Sequence, residues 1–265
     1  MAERVVGRRP FCNLALRYEK SPFCCMIESM NGIVLRTIKH SDTLMVADIL
    51  TQQHGRMSFL VPMSKGRRSG VRNVLFQPLS MLSFSAPVGR RGLARLSEVQ
   101  PYLLYSSIPY DVYKSAMALF LSEFLCAVLR EEGENEALFA YLDYAFSWLD
   151  EAREGYSDFH IVFLLQLTRF IGIFPNVEGA RRGAYFDLAA GCIVGEHPVH
   201  GQFLSPDDTA NFIELLSVGF DDMGSMALNR RARGQYLALI DNYYRLHVPD
   251  FPRLRSAEVL RELFD

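Results

Sequence analysis

The chain has 265 residues, of which 49% are hydrophobic and 22% are charged, and its formal net charge is −2. These values are typical of a globular protein of one or two domains. No apolar run of about 18 residues occurs, so we expect no membrane span, and the basic N-terminus lacks the continuous apolar core of a signal peptide.

The charge is unevenly distributed along the chain. Residues 26–109 carry ten Lys and Arg against four Asp and Glu, whereas residues 110–265 carry thirteen against twenty-four. A basic part joined to an acidic part predicts two domains with different partners, and only the basic one is suited to a polyanion.

Residues 1–25 match neither the helical nor the strand period, and we expect a disordered tail or a start codon assigned too far upstream. Five short β-like runs then follow in about 75 residues: Asn31–Lys39, Thr43–Gln52, Arg56–Val61, Leu75–Ala86 and Leu93–Val99. Their number and spacing predict a small barrel over residues 26–106, either an OB-fold or an SH3-like barrel, which periodicity does not separate. Tyr102–Ile108, between two prolines, is predicted to be a linker.

Two glycine-rich loops of this region, Lys65–Arg72 and Gly89–Gly92, concentrate its positive charge without any acidic residue. Clustered cations on loops between strands are typical of proteins that bind a phosphate backbone. The predicted DNA-binding residues are Lys65, Arg67, Arg68, Arg72, Arg90, Arg91 and Arg95, with Arg36, Lys39 and Arg56 extending the basic face. Phe59, Phe76 and Phe84 either stack on bases or fill the barrel core, and core packing is the commoner use of such residues.

From Asp111 onward the hydrophobic period becomes helical, which predicts a helical domain over residues 107–265 and an α+β fold overall. The predicted helices are Asp111–Arg130, Glu134–Leu149, Ser157–Ile171, a helix from Ser205 to about Ser217, Arg233–Leu246 and Ser256–Leu263. Residues 177–204 form an irregular, polar insertion, with a possible short hairpin over Tyr185–Gly195.

Motifs of catalysis are absent from the sequence. There is no complete phosphate-binding loop of the Walker type, no G-x-S-x-G and no H-E-x-x-H, and no residue set fits a nucleophile with its base. We therefore predict a protein that acts by binding and is not an enzyme.

The five cysteines are odd in number and none is spaced C-x-x-C, which argues against a disulfide framework and a zinc ribbon and fits a reducing, cytoplasmic setting. Cys192, His197 and His200 are close enough in sequence for a partial metal site, but polar loop positions explain the histidines more simply.

Several short segments follow one another in a recognisable order: a T-x-x-x-G turn from Thr51 to Gly55, the Lys65-Gly66 step, the Gln77-Pro78 step, the Gly172 to Pro175 ending of an apolar helix, and YFDLAAG at Tyr185–Gly191. In this order they resemble the bacterial RecO family of recombination mediators, in particular a Bacteroidetes-like branch. The resemblance covers the chain from about Met30 to Phe264. No single motif is highly specific, and the order of several weak matches carries the resemblance.

The resemblance implies an N-terminal OB-fold, a helical C-terminal domain, and binding of single- and double-stranded DNA with annealing of complementary strands. It also implies loading of RecA onto strands coated by single-strand-binding protein, together with RecR, in the cytoplasm at the nucleoid. The acidic tail of single-strand-binding protein docks on the family's helical domain, and Arg130 and Arg169 are candidate contacts by residue type.

One feature of the family is missing, because many relatives carry four zinc-binding cysteines after the Gly-x-x-Pro ending and Asn176–Gly183 has none. We therefore expect no cofactor, and a structural zinc is doubtful. Two alternatives remain open at this point: a scaffold whose basic barrel binds an acidic protein, and a zinc-dependent or nucleotide-processing enzyme.

Overall fold

The computed structural model describes residues 26–63, 74–88, 93–130, 133–226 and 228–264. The predicted tail of residues 1–25 lies outside the described residues.

The N-terminal part is a curled, OB-like β-sheet. Its strands are β1 (Met26–Lys39), β2 (Leu44–Thr51), β3 (Gly55–Pro62), β4 (Met81–Val88), β5 (Ala94–Arg95) and β6 (Ser97–Leu103). Their order is β5-β3-β2-β1-β4-β6, and all neighbours are antiparallel except β3 and β5. The two edge strands are separated in sequence only by Leu96, so the sheet curls to bring its edges together. The predicted α+β fold with an N-terminal OB-like sheet is confirmed, and the fifth predicted strand is divided between two ladders.

Three boundaries of the sheet differ clearly from the prediction. The first strand begins at Met26 and not at Asn31. The fourth strand begins at Met81 and not at Leu75, because the chain turns first: Pro78 has no N–H for a ladder, and Leu79 adopts a left-handed conformation with φ 63°. This turn directs Phe76 into the sheet interior. The last strand continues to Leu103, into the segment predicted as a linker.

The concave face of the sheet encloses an apolar core in which the rings of Phe59 and Phe84 meet edge to face at 5.3 Å. Gly32 is required there, because a Cβ at this position would lie 2.5 Å from a methyl group of Ile49. The absence of that side chain lets β1 and β2 approach closely.

The C-terminal part consists mainly of helices. They are α1 (Val112–Val128), α2 (Glu136–Glu151), a 3₁₀ turn (Tyr156–Asp158), α3 (Phe159–Leu167), α4 (Pro206–Ser217), α5 (Met223–Met226), α6 (Arg230–His247) and α7 (Ser256–Phe264). Side-chain oxygens of Asp111, Asn135, Ser205 and Asn229 accept hydrogen bonds from backbone N–H groups in the first turns of α1, α2, α4 and α6. No helix in the described ranges is long and apolar enough to cross a membrane.

Three features of this part depart from the predicted pattern. Helix α3 ends at Leu167, four residues early, where the Thr168 hydroxyl donates to the Leu165 carbonyl at 2.5 Å and competes with the helical pattern. Helix α6 begins three residues early, after the Asn229 cap. The insertion forms the predicted hairpin as β7 (Tyr185–Asp187) and β8 (Cys192–Val194), and β9 (Phe203–Leu204) pairs with β7 as a third strand.

The outer face of the sheet packs on the helices through one continuous apolar core. Ile33, Leu35 and Leu50 of β1 and β2 belong to the same buried cluster as α1 to α4. The Ser122 hydroxyl of α1 donates to the Leu35 carbonyl of β1. Because neither surface would be stable if exposed to water, the sheet and the helices stabilise each other.

Asp48 of β2 and Arg56 of β3 form a buried ionic link at this junction. Arg56 donates to the Asp48 carboxylate at 2.9 Å, and also to the carbonyls of Cys126 (3.0 Å) and Leu129 (3.1 Å) at the end of α1. Burial would raise the pKa of Asp48, but hydrogen bonds from Ser58, Arg56 and Arg36 outweigh it and hold that pKa below its usual value. Arg56 therefore neutralises Asp48 and satisfies carbonyls that the end of a helix leaves free.

Asp150 of α2 forms a second buried link, to the segment that joins the sheet to α1. Its carboxylate accepts from the backbone N–H groups of Ser106 (2.7 Å), Ser107 (2.8 Å) and Ile108 (2.9 Å). Burial opposes ionisation, yet these hydrogen bonds keep the pKa of Asp150 below its ordinary value. The buried Lys114 ammonium closes the network by donating to the carbonyls of Asp150 (3.2 Å) and Ala152 (2.5 Å).

We expect Asp150→Asn to lower the free energy of unfolding by about 2–3 kcal/mol at neutral pH, because an amide cannot accept all three backbone N–H groups. The carboxylate stabilises the fold above its unfolded-state pKa of about 4 and loses this effect as the pH falls, so the difference from wild type should narrow in acid. Urea unfolding measured across pH tests this. Asp143→Asn is the control, because this exposed carboxylate accepts only a long hydrogen bond from Tyr102 (3.3 Å) among the described residues. Equal effects of the two substitutions would contradict the prediction.

We expect Arg56→Met to lower the free energy of unfolding by about 3 kcal/mol, because it leaves Asp48 buried with fewer partners and frees two carbonyls at the end of α1. Arg95→Met, at an exposed position of β5, is the matched control and should change stability by less than about 0.5 kcal/mol. Chemical unfolding of both variants provides the comparison. A fully stable Arg56→Met protein would rule out a structural role for this guanidinium.

Candidate nucleic-acid interface

The cationic positions predicted for DNA binding fall into three groups in the structure. Six of them lie on loops outside the described residues: Lys65, Arg67, Arg68, Arg72, Arg90 and Arg91. Arg95 and Lys39 lie on the exposed surface of the sheet. Arg36 and Arg56 both contact the buried carboxylate of Asp48.

The ends of the two loops lie along the same edge of the sheet, where β3 runs parallel to β5. Ala94 is paired with Phe59, so the second loop, residues 89–92, enters β5 beside the middle of β3. The first loop, residues 64–73, leaves β3 after Met63, four residues further on. At a rise of about 3.3 Å per residue, the start of the first loop at Met63 and the end of the second loop beside Phe59 are separated by about 13 Å along this edge.

Arg95 occupies the interval between the two loop ends. It is paired with Leu60 of β3 and its side chain is exposed, while the preceding Ala94 faces the core. The alternation of a strand therefore directs Arg95 to solvent on the edge that carries both basic loops. We call this edge, with Arg95 and the two loop ends, the β3–β5 edge.

Lys39 lies near one end of this edge. The backbone N–H of Met63 donates to the carbonyl of Thr43 at 2.8 Å, which fixes the start of the first loop beside the turn between β1 and β2. The Lys39 ammonium, at the start of that turn, contacts Asp42 at 2.8 Å, and both side chains are mostly exposed. Exposed pairs of this kind are weak, so Lys39 remains accessible to a phosphate.

Arg36 and Arg56 differ from the other predicted cations because they are paired with Asp48. The Arg56 side chain is only 12% exposed and its donors are directed at Asp48 and at α1. Arg56 thus holds the sheet against the helices and its guanidinium is not available to a phosphate. Arg36 donates to Asp48 at 2.7 Å but is 51% exposed, which places it at the margin of the basic surface.

The three phenylalanines considered as stacking platforms are buried in the sheet interior. Phe59, Phe76 and Phe84 are all at most 5% exposed. They form the core, and a base cannot reach the faces of Phe59 and Phe84 without unfolding the sheet.

The two arginines predicted to contact a protein partner already make contacts within the helical part. Arg130 donates to the carbonyl of Asp250 at 2.6 Å. Arg169 donates to the Gln166 side chain at 2.8 Å, and its guanidinium lies 3.8 Å from the centre of the Phe174 ring. This second arrangement holds an exposed cation against an aromatic face.

The residues weighed as a partial metal site do not form one. The His197 ring packs against Tyr185 and Phe203, and His200 contacts the Asp187 carboxylate at 3.1 Å. No group of three or more His, Cys, Asp or Glu side chains in the described part of the chain is placed to hold a metal ion.

Sequence inspection missed the buried carboxylates and one strained residue on the sheet. Asp48, within the apolar run of β2, carried a signal, because a charged residue in a buried strand needs a partner. Glu98, with φ 52°, carried none, since a glutamate in a strand gives no indication of a left-handed conformation.

Comparisons with known proteins agree with this architecture. A family model described as "Recombination protein O N terminal" matches residues 26–105, and one described as "Recombination protein O C terminal" matches residues 109–257. A protein of Phocaeicola vulgatus, named "DNA repair protein RecO", is 44% identical over 240 residues, which are 90% of this chain and 100% of the relative.

Proteins of the same name from other organisms are also similar. The Bacteroides fragilis protein is 41% identical over 242 residues, and the Porphyromonas gingivalis protein is 31% identical over 246 residues; both matches cover 91% of this chain and 100% of the relative. With both of its parts matched by the family models and its length covered by these relatives, the chain belongs to the RecO family.

Proposed function

We propose that this protein is a DNA-binding mediator of repair and recombination that anneals complementary strands. The observation that supports it best is the β3–β5 edge, where one basic loop leaves β3 and another enters β5, with Arg95 exposed between these two points. The relatives named as DNA repair proteins support the same activity.

The proposed binding is electrostatic. Lys39, Arg95 and the six loop cations neutralise phosphates and release counterions, so affinity should fall steeply with salt. Contacts of this kind hold a strand by its backbone and leave most bases free to pair with a second strand, as annealing requires. Arg36 contributes at the margin of this surface.

The protein partners follow from family membership and are part of the proposal. We propose that the protein acts with RecR to load RecA onto single strands coated by single-strand-binding protein, in the cytoplasm at the nucleoid. The acidic tail of single-strand-binding protein would contact the helical part, where Arg169 offers an exposed cation beside Phe174. Arg130, which donates to Asp250, is the other proposed contact.

We expect the triple variant Arg67→Glu, Arg68→Glu, Arg72→Glu to bind single-stranded DNA weakly and to show a smaller salt dependence, with the slope of log K against log salt reduced by about 2. Fluorescence anisotropy across a salt series measures both quantities. The control variant replaces three exposed arginines of the helical part, Arg153, Arg181 and Arg182, by glutamate, and it should keep the wild-type slope. Equal slopes for the two triple variants would place the DNA site elsewhere.

A second measurement follows the annealing of two complementary strands by fluorescence quenching. The loop variant should slow protein-dependent annealing in proportion to its loss of strand binding, because both strands are held through the same phosphates. Competition with heparin distinguishes DNA annealing from the alternative function, a scaffold that binds acidic proteins and has no preference for DNA over other polyanions. A protein that binds DNA weakly, and binds heparin as tightly as DNA, would contradict the proposed function.

A further inference from the structure

A small groove opens on the β3–β5 edge at the open end of the sheet. It has a volume of about 120 Å³, and its walls are mainly apolar, with one polar side; the lining residues are Val61, Pro62, Leu75, Phe76, Leu96, Ser97, Glu98 and Val99. An engineered apolar cavity of about 150 Å³ binds benzene, so a groove of about 120 Å³ that is open to solvent holds no more than a single ring. The mouths of β-barrels are common ligand sites.

Glu98, on the polar side of the groove, is held in an unusual conformation. The pairing of β4 with β6 passes from Ser83–Gln100 to Ser85–Ser97, so one extra residue of β6 bulges there. Glu98 is in this bulge with φ 52°. A left-handed backbone is unfavourable for a residue with a Cβ, and bulges often redirect a side chain next to a binding site.

The surrounding hydroxyl groups fix the direction of the Glu98 carboxylate. Ser85, which is nearly buried, donates its hydroxyl to Glu98 Oε2 at 2.7 Å. Ser97 in turn donates to the Ser85 carbonyl at 3.1 Å. Among the described residues no group donates to Oε1, so one carboxylate oxygen at the groove can still accept a hydrogen bond.

The position of the groove indicates what occupies it. The basic segment of residues 64–73 begins two residues after Pro62 and ends two residues before Leu75, and Arg95 directly precedes Leu96. The groove itself offers an apolar slot and a carboxylate, and the chain that adjoins its lining residues is rich in cations. A nucleotide combines the matching parts: a phosphate, a flat ring and, in some bases, an amino group.

We propose that the groove takes one single-ring base of a bound single strand and that Glu98 selects cytosine over thymine. Cytosine donates its N4 amino group to a carboxylate, whereas thymine presents the O4 acceptor at the same position. This proposal deepens the function proposed above and rests on it. It assigns a specificity-determining role to Glu98 and a stacking wall to Pro62 and Leu75.

The test compares strands of equal length made of cytosine, of thymine, or of abasic sugar-phosphate, by fluorescence anisotropy. Wild type should bind the cytosine strand about five-fold more tightly than the thymine strand, and the abasic strand most weakly. In Glu98→Gln the amide can donate or accept, so the two base-containing strands should bind within about two-fold of each other.

Two further variants separate base selection from a structural or general electrostatic role. Glu98→Gly should also abolish the preference, yet should leave the urea midpoint of unfolding near that of wild type, because relief of the left-handed strain offsets the lost hydrogen bond from Ser85. Asp42→Asn removes an exposed carboxylate of the same sheet outside the groove and should change the affinity for both strands equally, which keeps their ratio.

The outcomes are distinct. Equal wild-type affinity for cytosine and thymine strands, or a preference that survives Glu98→Gln, overturns the base selection. Abasic strands that bind as well as the others overturn occupation of the groove by a base and leave the proposed DNA-binding function intact. Failure of wild type to bind any strand instead contradicts the proposed function itself.

Discussion

Two buried carboxylates, Asp48 and Asp150, determine how the sheet and the helices fit together. Each accepts hydrogen bonds from at least three donors, and several of these come from a different element of the chain. A buried carboxylate without such donors costs several kcal/mol. The networks are therefore complete only when the sheet, the linker and the first two helices are all in place. The β3–β5 edge is consequently part of one cooperative unit with the helices.

This constraint divides the cations of the basic N-terminal part into two classes with opposite roles. Arg56 lies on the side of the sheet that faces α1, where its charge compensates Asp48 and caps a helix end. Arg95 lies on the adjacent edge strand β5, beside Leu60 of β3, where the described structure gives it no acidic neighbour within salt-bridge distance. Net charge counts both equally. The proposed binding surface is therefore smaller than the sequence charge indicates, but it is concentrated along a single edge.

The sequence predicted the elements of the fold well because strand period, helix period and capping residues are local signals. Asp111 and Ser205 mark helix starts by their own chemistry, and the five strand runs follow from alternation and turn residues. The role of Arg56 was not predictable, since the carbonyls it caps lie seventy or more residues further along the chain. Phe76 enters the core because the chain turns at Pro78 and Leu79. The hydrophobic run around these residues resembles a strand, so the turn could not be predicted from the sequence. The site was predicted as a basic region, but its position along β3 and β5 required the strand register.

The size of the groove is compatible with both the base selection and the annealing proposed above. A slot for one ring would hold one base at a time, so the neighbouring bases of a bound strand would remain exposed to a complementary strand. The Glu98 carboxylate would also repel the phosphates that the proposed cationic surface attracts, which would limit how tightly the strand is held. A surface that binds the backbone strongly and one base weakly permits a strand to shift until pairing begins. Pairing would then withdraw that base, because its amino group cannot donate to Glu98 and to its pairing partner at once.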